Sequence, residues 1–144
     1  RLVAKRFSQQ YGVDYYETFS PVVRSSSLRF LFGLATEKNL NVYQMDIDTA
    51  FLNGELKETV YMEQPDGFIQ QKDKVCLLKR ALYGLKQAPR SWNMRLHQTL
   101  MKMGMKQSKH DRCVYYFDMD NGSVFILAVY VDDLLTFTND INKK

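Results

Sequence analysis

Residues 124–137 read VFILAVYVDDLLTF. The first eight positions, Val124 to Val131, are all apolar. That is the length of a buried strand and far short of the ~20 residues that cross a bilayer. Asp132-Asp133 then interrupts the run before Leu134 to Phe137 resume it, and consecutive aspartates are a turn signal. The stretch therefore predicts two antiparallel strands joined by a tight turn. Upstream, residues 114–117 are again strand-like, and Asn121-Gly122 between the two runs is a strong hairpin signal. Strands linked by short hairpins put an antiparallel sheet at the centre of the fold.

Working outward, residues 42–47 predict a short strand, followed by a turn at Asn53-Gly54. Residues 60–63 and 75–78 are two more candidate strands, the first ended by Gln64-Pro65. Ser25 to Ser27 is a helix start, because a serine side chain can accept hydrogen bonds from free backbone N–H groups. Leu28, Leu31, Phe32 and Ala35 then share one helix face. Pro89 fits the first turn of a second helix. Trp92, Leu96, Leu100 and Met103 continue it, and Gly104 is suited to end it. Arg95 and Lys102 point away from this apolar stripe, and Trp92 reads as core. Residues 1–7 read as strand and residues 8–21 as loop. The expected class is α+β, an antiparallel sheet covered on one face by helices.

The chain has 144 residues, 45% hydrophobic and 25% charged, with a net charge of +4. That composition excludes a disordered tail, a collagen-like repeat and a low-complexity linker. The charge is unevenly placed. Residues 72–112 carry eleven basic and two acidic side chains, a net +9, leaving nine basic and fourteen acidic, a net −5, elsewhere. Such a split suits a polyanion on one surface and a cation at another region, although a solvated basic face would look the same. Cys76 and Cys113 show neither CxxC nor zinc-finger spacing, and two buried free thiols are expected. The chain opens on Arg1 rather than Met and neither end reads as a natural terminus, so a piece of a longer protein is expected, and no signal peptide is visible.

Asp46, at the end of a strand, and Asp132-Asp133 are the carboxylates that surface solvation explains least well, because carboxylates at the ends of buried strands need compensation. Divalent cations would supply it: two-metal phosphoryl-transfer sites hold hard ions on oxygen ligands. A plain hairpin turn at Asp132-Asp133 and a cap at Asp46 account for the same residues. Asp48 is a weaker candidate.

Tyr130-Val131-Asp132-Asp133 after an apolar strand resembles the catalytic YxDD turn of reverse transcriptases. Residues 43–56, YQMDIDTAFLNGEL, resemble the first catalytic motif of the reverse transcriptases of copia-type LTR retrotransposons. VYMEQPDGF at 60–68 resembles the segment that follows it, and LYGLKQAPRSW at 82–92 the family's most distinctive block. FSPVVR at 19–24 and the opening RLVAK are similar to its fingers region. The blocks stand in family order along essentially the whole chain.

The resemblance implies a fingers-and-palm fragment of a Pol polyprotein, with residues 1–40 and 52–85 mainly fingers-like and 41–51 and 86–144 mainly palm-like. Asp46, Asp132 and Asp133 match the metal-binding catalytic carboxylates, with the backbone carbonyl of Ile47 as a further ligand and two Mg²⁺ (or Mn²⁺) as cofactors. Phe51 matches an aromatic residue under the nucleotide sugar that excludes a ribose 2′-OH, although a core phenylalanine is the plainer reading of it. Tyr83, Gly84 and Lys86 match the nucleotide-binding region. Tyr130, Arg90, Arg95 and Lys102 are the primer- and template-binding candidates. Lys106 could extend that track, and Arg1 and Lys5 could approach the triphosphate.

Implied partners are an RNA or DNA template–primer and dNTPs, with the thumb, ribonuclease H and integrase in the rest of the polyprotein and no membrane. A cytoplasmic virus-like particle is the location the family implies. Arg6 stands where the family usually has Gly, and Met105 where it usually has Phe. The implied activity is RNA-directed DNA polymerisation, with little expected of the fragment alone. An inert nucleic-acid-binding remnant and a two-metal nuclease are the competing readings, and the LYGLKQAPRSW block argues against the nuclease.

Overall fold

A computed structural model describes residues 2–118 and 122–139. The chain forms two compact units. Arg1–Ser20 with Thr49–Arg95 makes one, and Pro21–Asp48 with Leu96–Lys144 makes the other. Residues 21–40, expected with the fingers-like part, thus cluster with the sheet.

The sheet unit contains α1 (Ser25–Glu37), β1 (Asn41–Asp46), β4 (Lys106–Gln107), β5 (Val114–Tyr116), β6 (Phe125–Tyr130) and β7 (Asp133–Thr138). They form one five-stranded antiparallel sheet in the order β1-β7-β6-β5-β4. The antiparallel sheet and the strand–turn–strand of residues 124–137 are as expected. Gly122 has φ +75°, as a hairpin turn requires, while Asn121 lies outside the described residues. The two-residue β4 was not foreseen, because Lys106-Gln107 carries no apolar signal.

The expectation of helices on one face is overturned. Leu127, Ala128 and Val129 are buried in succession, as are Thr136, Phe137 and Thr138. Successive strand residues point to opposite faces, so both faces must be covered. The register puts Phe137 on one face and Tyr115, through Leu127 and Thr136, on the other. Phe32 of α1 meets Phe137 edge-on at 5.4 Å, while His97 bonds the Tyr115 hydroxyl at 3.1 Å from the other side. The unbroken apolar run at 124–131 already carried this signal, since a half-exposed strand would alternate.

Helix α1 starts where the serines predicted, but no serine caps it. Its N-cap, Arg24, has no side-chain capping bond. Instead Asp111, 6% exposed, reaches in from the other end of the chain. Its Oδ2 accepts from the Arg24 N–H at 2.9 Å and the Ser27 hydroxyl at 2.6 Å, and its Oδ1 accepts from the Cys113 N–H at 2.9 Å. Burial opposes ionisation of this carboxyl most strongly. The bonds from Ser27, Arg24 and Cys113, with the Arg24 charge, outweigh it and hold the pKa below the ordinary value. Both cysteines are free, and burial, then the Asp111 charge, pushes the Cys113 thiol up to about 11.

Helix α2 (Ala88–Lys102) begins in the first unit and ends in the second. Trp92, Leu96 and Leu100 are buried along it and Met103 is exposed beyond it, where Gly104 at φ +86° turns the chain. Met105, the stand-in for a larger ring, is buried.

In the first unit, β2 (Tyr61–Met62) and β3 (Cys76–Leu77) form a two-stranded antiparallel pair. Its core is Ala4, Val60, Ala81, Leu85 and Ala88, with Phe51, Leu56 and Leu82 packed against it. Residues 2–7 are not a strand. Arg6–Ser8 is a single 3-10 turn, and Ala4 meets the chain through one bond, its N–H to the Tyr83 carbonyl at 2.8 Å. A strand needs a run of paired backbone, and among the described residues this segment joins no ladder.

Candidate active site

The sheet brings the sequence-predicted carboxylates to one end. Asp46, the last residue of β1, is the direct antiparallel partner of Asp133, the first residue of β7. Tyr130 pairs with Asp133 from the other side, so Val131-Asp132 is the two-residue turn between β6 and β7. Val131 has φ +58°, a left-handed conformation that costs a β-branched residue about 1–3 kcal/mol. The surroundings hold it there: the Ile47 N–H donates to the Asp132 carbonyl at 3.0 Å, tying the chain just after β1 to the turn. The Gln44 amide nitrogen donates to Asp133 Oδ1 at 3.0 Å. Asp46, Ile47, Tyr130, Asp132 and Asp133 are therefore neighbours although 86 residues separate Asp46 from Asp132 in sequence.

The reason expected for compensation is corrected. Edge strand β1 is exposed along nearly its whole length, Asp46 is exposed, and Asp132 and Asp133 are half-buried. Burial does not make these carboxylates costly. Opposition does, because like charges directly across a ladder destabilise it. Three carboxylates at one sheet end are hard oxygen donors of the kind that suits Mg²⁺, and a divalent cation would remove the conflict. The donor chemistry fits such an ion, whereas among the described residues no three His, Cys, Asp or Glu side chains converge enough to hold one.

The nucleotide-site candidates lie in the other unit. Phe51 sits in a 3-10 turn, Ala50–Asn53, with its ring centroid 4.6 Å from that of Tyr83. It is half-buried and packs on the core of that unit, so the core reading of Phe51 holds whatever else it does. Gly84 has φ +94°, and a Cβ there would lie 2.2 Å from the Ala4 carbonyl oxygen. The close approach that glycine permits is taken by the chain's own residues Val3 and Ala4.

Lys86, Arg90, Arg95 and Lys106 are already engaged. Lys86 Nζ donates to the Tyr15 hydroxyl at 3.0 Å and the Gln9 carbonyl at 3.3 Å, and stands 4.5 Å over the Tyr15 ring. Arg90 pairs with Glu17 and donates to the Phe19 carbonyl at 3.3 Å. Arg95 is 3.9 Å from Glu55, and Lys106 pairs with Asp118, whose hydrogen bond and charge raise the lysine pKa. Lys102 is exposed at the end of α2. Sequence reasoning missed Gln87, 2% exposed, whose amide donates to the Asp14 carbonyl at 2.8 Å and accepts from Gln9 at 3.0 Å. Gln87 and Glu17 clip residues 9–19 onto the start of α2, and no local pattern announced it. Among the described residues, no helix is long and apolar enough to cross a membrane.

Residues 1–143 match the family described as reverse transcriptase (RNA-dependent DNA polymerase). The chain is 46% identical over 143 residues to a retrovirus-related Pol polyprotein from transposon RE1 of Arabidopsis thaliana, covering 97% of the chain and 10% of that protein. It is 44% identical over 142 residues to the Pol polyprotein from transposon TNT 1-94 of Nicotiana tabacum, covering 97% and 11%. A putative transposon Ty5-1 protein of Saccharomyces cerevisiae is 44% identical over 93 residues, 63% of the chain and 30% of that protein. The chain thus spans about a tenth of the length of the two plant relatives. No solved structure matches it.

Proposed function

Because the chain belongs to the reverse transcriptase (RNA-dependent DNA polymerase) family, we propose that it is the part of a copia-type Pol polyprotein that carries the polymerase carboxylates. The parent reaction is attack of a primer 3′-OH on the α-phosphate of a dNTP, with pyrophosphate leaving. The observation that carries this is the ladder pairing of Asp46 with Asp133 beside the strained turn that presents Asp132.

Asp46, Asp132 and Asp133, with the Ile47 carbonyl, would hold two divalent ions. Such ions, when bound, activate the attacking oxygen and stabilise the leaving one. The protein's own part is positioning: the β1–β7 ladder fixes the distance between Asp46 and Asp133, and the Ile47–Asp132 bond fixes the turn. Tyr130, 52% exposed next to the turn, flanks the primer end. Phe51, whose ring packs beside Tyr83, is assigned the contact with the nucleotide sugar. We assign the sheet unit to the palm and the other unit to the fingers.

The basic side chains Arg90, Arg95 and Lys102 contact template–primer phosphates, and Lys86 contacts the nucleotide. Lys86 and Arg90 do so after exchanging the internal partners described above. The alternative reading is a catalytically inert nucleic-acid-binding remnant. Primer extension by the complete Pol protein decides between them, and no incorporation by the wild type would support the remnant. Mg²⁺-dependent incorporation by the wild type and none by Asp132→Asn supports the polymerase, while equal incorporation by both removes Asp132 from the site.

A further inference from the structure

Gln44 has no place among the carboxylates of the proposed site, yet it reaches one of them. It lies two residues before Asp46 on β1, so the two side chains share a face of the strand. Its cross-strand partner is Leu135, which makes Asp133 its diagonal neighbour, and its amide nitrogen donates to Asp133 Oδ1 at 3.0 Å. Asp133 therefore has a carboxylate of like charge directly opposite and an amide donor on the diagonal.

We infer that Gln44 is the positioning residue for Asp133: its amide holds the Asp133 carboxylate against β1, beside Asp46, so that both are presented to one divalent cation. This rests on the carboxylate reading of the proposed function. The physical reason is that a carboxylate opposite another anion rotates away from it unless something holds it. A neutral amide donor can hold it without competing for the cation, as a lysine or arginine would. It fixes one oxygen and leaves the other for the ion. Hydrogen-bond partners of this kind orient metal ligands, and losing one typically weakens metal affinity by about 10–100-fold. Gln44 itself donates through nitrogen and holds no metal.

The test is Mn²⁺ binding to this 144-residue chain, followed by water-proton relaxation, which needs no turnover. Gln44→Met keeps the length of the side chain and removes the donor. Gln44→Asn keeps the amide and removes the reach. Position 44 is exposed, so both variants should retain the thermal midpoint of the wild type. Both are expected to bind Mn²⁺ about tenfold more weakly. In an Asp133→Asn background, Gln44→Met should add nothing further, which a general loosening of β1 would not reproduce.

Wild-type affinity in Gln44→Met and Gln44→Asn, with affinity lost in Asp46→Asn, overturns the role of Gln44 and leaves the carboxylate site standing. Equal additional weakening in the Asp133→Asn background also overturns it. Unchanged Mn²⁺ binding in Asp46→Asn and Asp133→Asn overturns the carboxylate site, and the role of Gln44 with it.

Discussion

Asp46 and Asp133 face each other as direct partners at the last rung of the β1–β7 ladder, two anions where an ordinary sheet would place a neutral or oppositely charged pair. Without a cation that rung opposes folding, and in the proposed site a divalent cation would relieve the conflict. Asp46→Asn should therefore stabilise the metal-free chain by about 0.2–1 kcal/mol, read as a higher thermal midpoint in chelator. The gain should shrink when Mg²⁺ is added. A lower midpoint in chelator would show that the two charges do not conflict.

Gly84 is confined both by its φ of +94° and by the Ala4 carbonyl, 2.2 Å from where a Cβ would stand. Gly84→Ala must displace the Val3–Ala4 segment and adopt a strained backbone, at a cost of at least about 1–3 kcal/mol. Urea unfolding measures it, and a midpoint equal to that of the wild type would refute the close packing. Gly33, around which nothing lies within 4 Å, is the helical control: alanine there should be neutral or mildly stabilising.

The Asp111 cap makes stability acid-sensitive. Its folded pKa lies below the ordinary 3.8, so the unfolded chain takes up the proton first as pH falls. The contribution is complete above the ordinary carboxyl value and is lost as pH falls below it toward the folded pKa. Asp111→Ala orphans the Arg24 and Cys113 N–H groups and the Ser27 hydroxyl. A loss of about 2–4 kcal/mol near neutral pH is expected. The gap between wild type and Asp111→Ala in thermal midpoint should narrow on acidification, and a gap independent of pH would contradict the cap.

Glu17 occupies the Arg90 guanidinium, which in the proposed function contacts phosphate. Glu17→Gln should release the guanidinium and tighten binding of a primer–template duplex at low salt, with a steeper fall as salt rises. Fluorescence anisotropy across a salt series measures both. Weaker binding by Glu17→Gln would mean instead that the clipped loop is needed to shape the surface.

Much of the fold was legible locally. The strands around Asp132-Asp133, both helices and the Pro89 and Gly104 punctuation follow from periodicity and turn chemistry. Residues 1–7 misled because an apolar, strand-like segment becomes a strand only where a neighbour pairs with it. Ser25 to Ser27 misled in part: they mark the start of α1, but the oxygen that receives the Arg24 N–H and the Ser27 hydroxyl there belongs to Asp111, 87 positions away from Arg24. Arg90 and Lys86 read as open phosphate ligands because sequence shows charge and not its partner.

Contiguous motifs carried the family resemblance, the three candidate carboxylates and the hairpin that holds two of them, and all of these could be read from residue order. Tertiary structure alone decided that Asp46 pairs with Asp133 rather than with Asp132, that Gln44 reaches across to one of them, and that residues 9–19 cover the basic start of α2. Ladder register and loop docking join residues far apart in the chain. A one-residue slip would send every side chain of β1 to the other face and break the Asp46–Asp133 pair, so the pairing belongs to the ladder register and not to the order of residues in either strand.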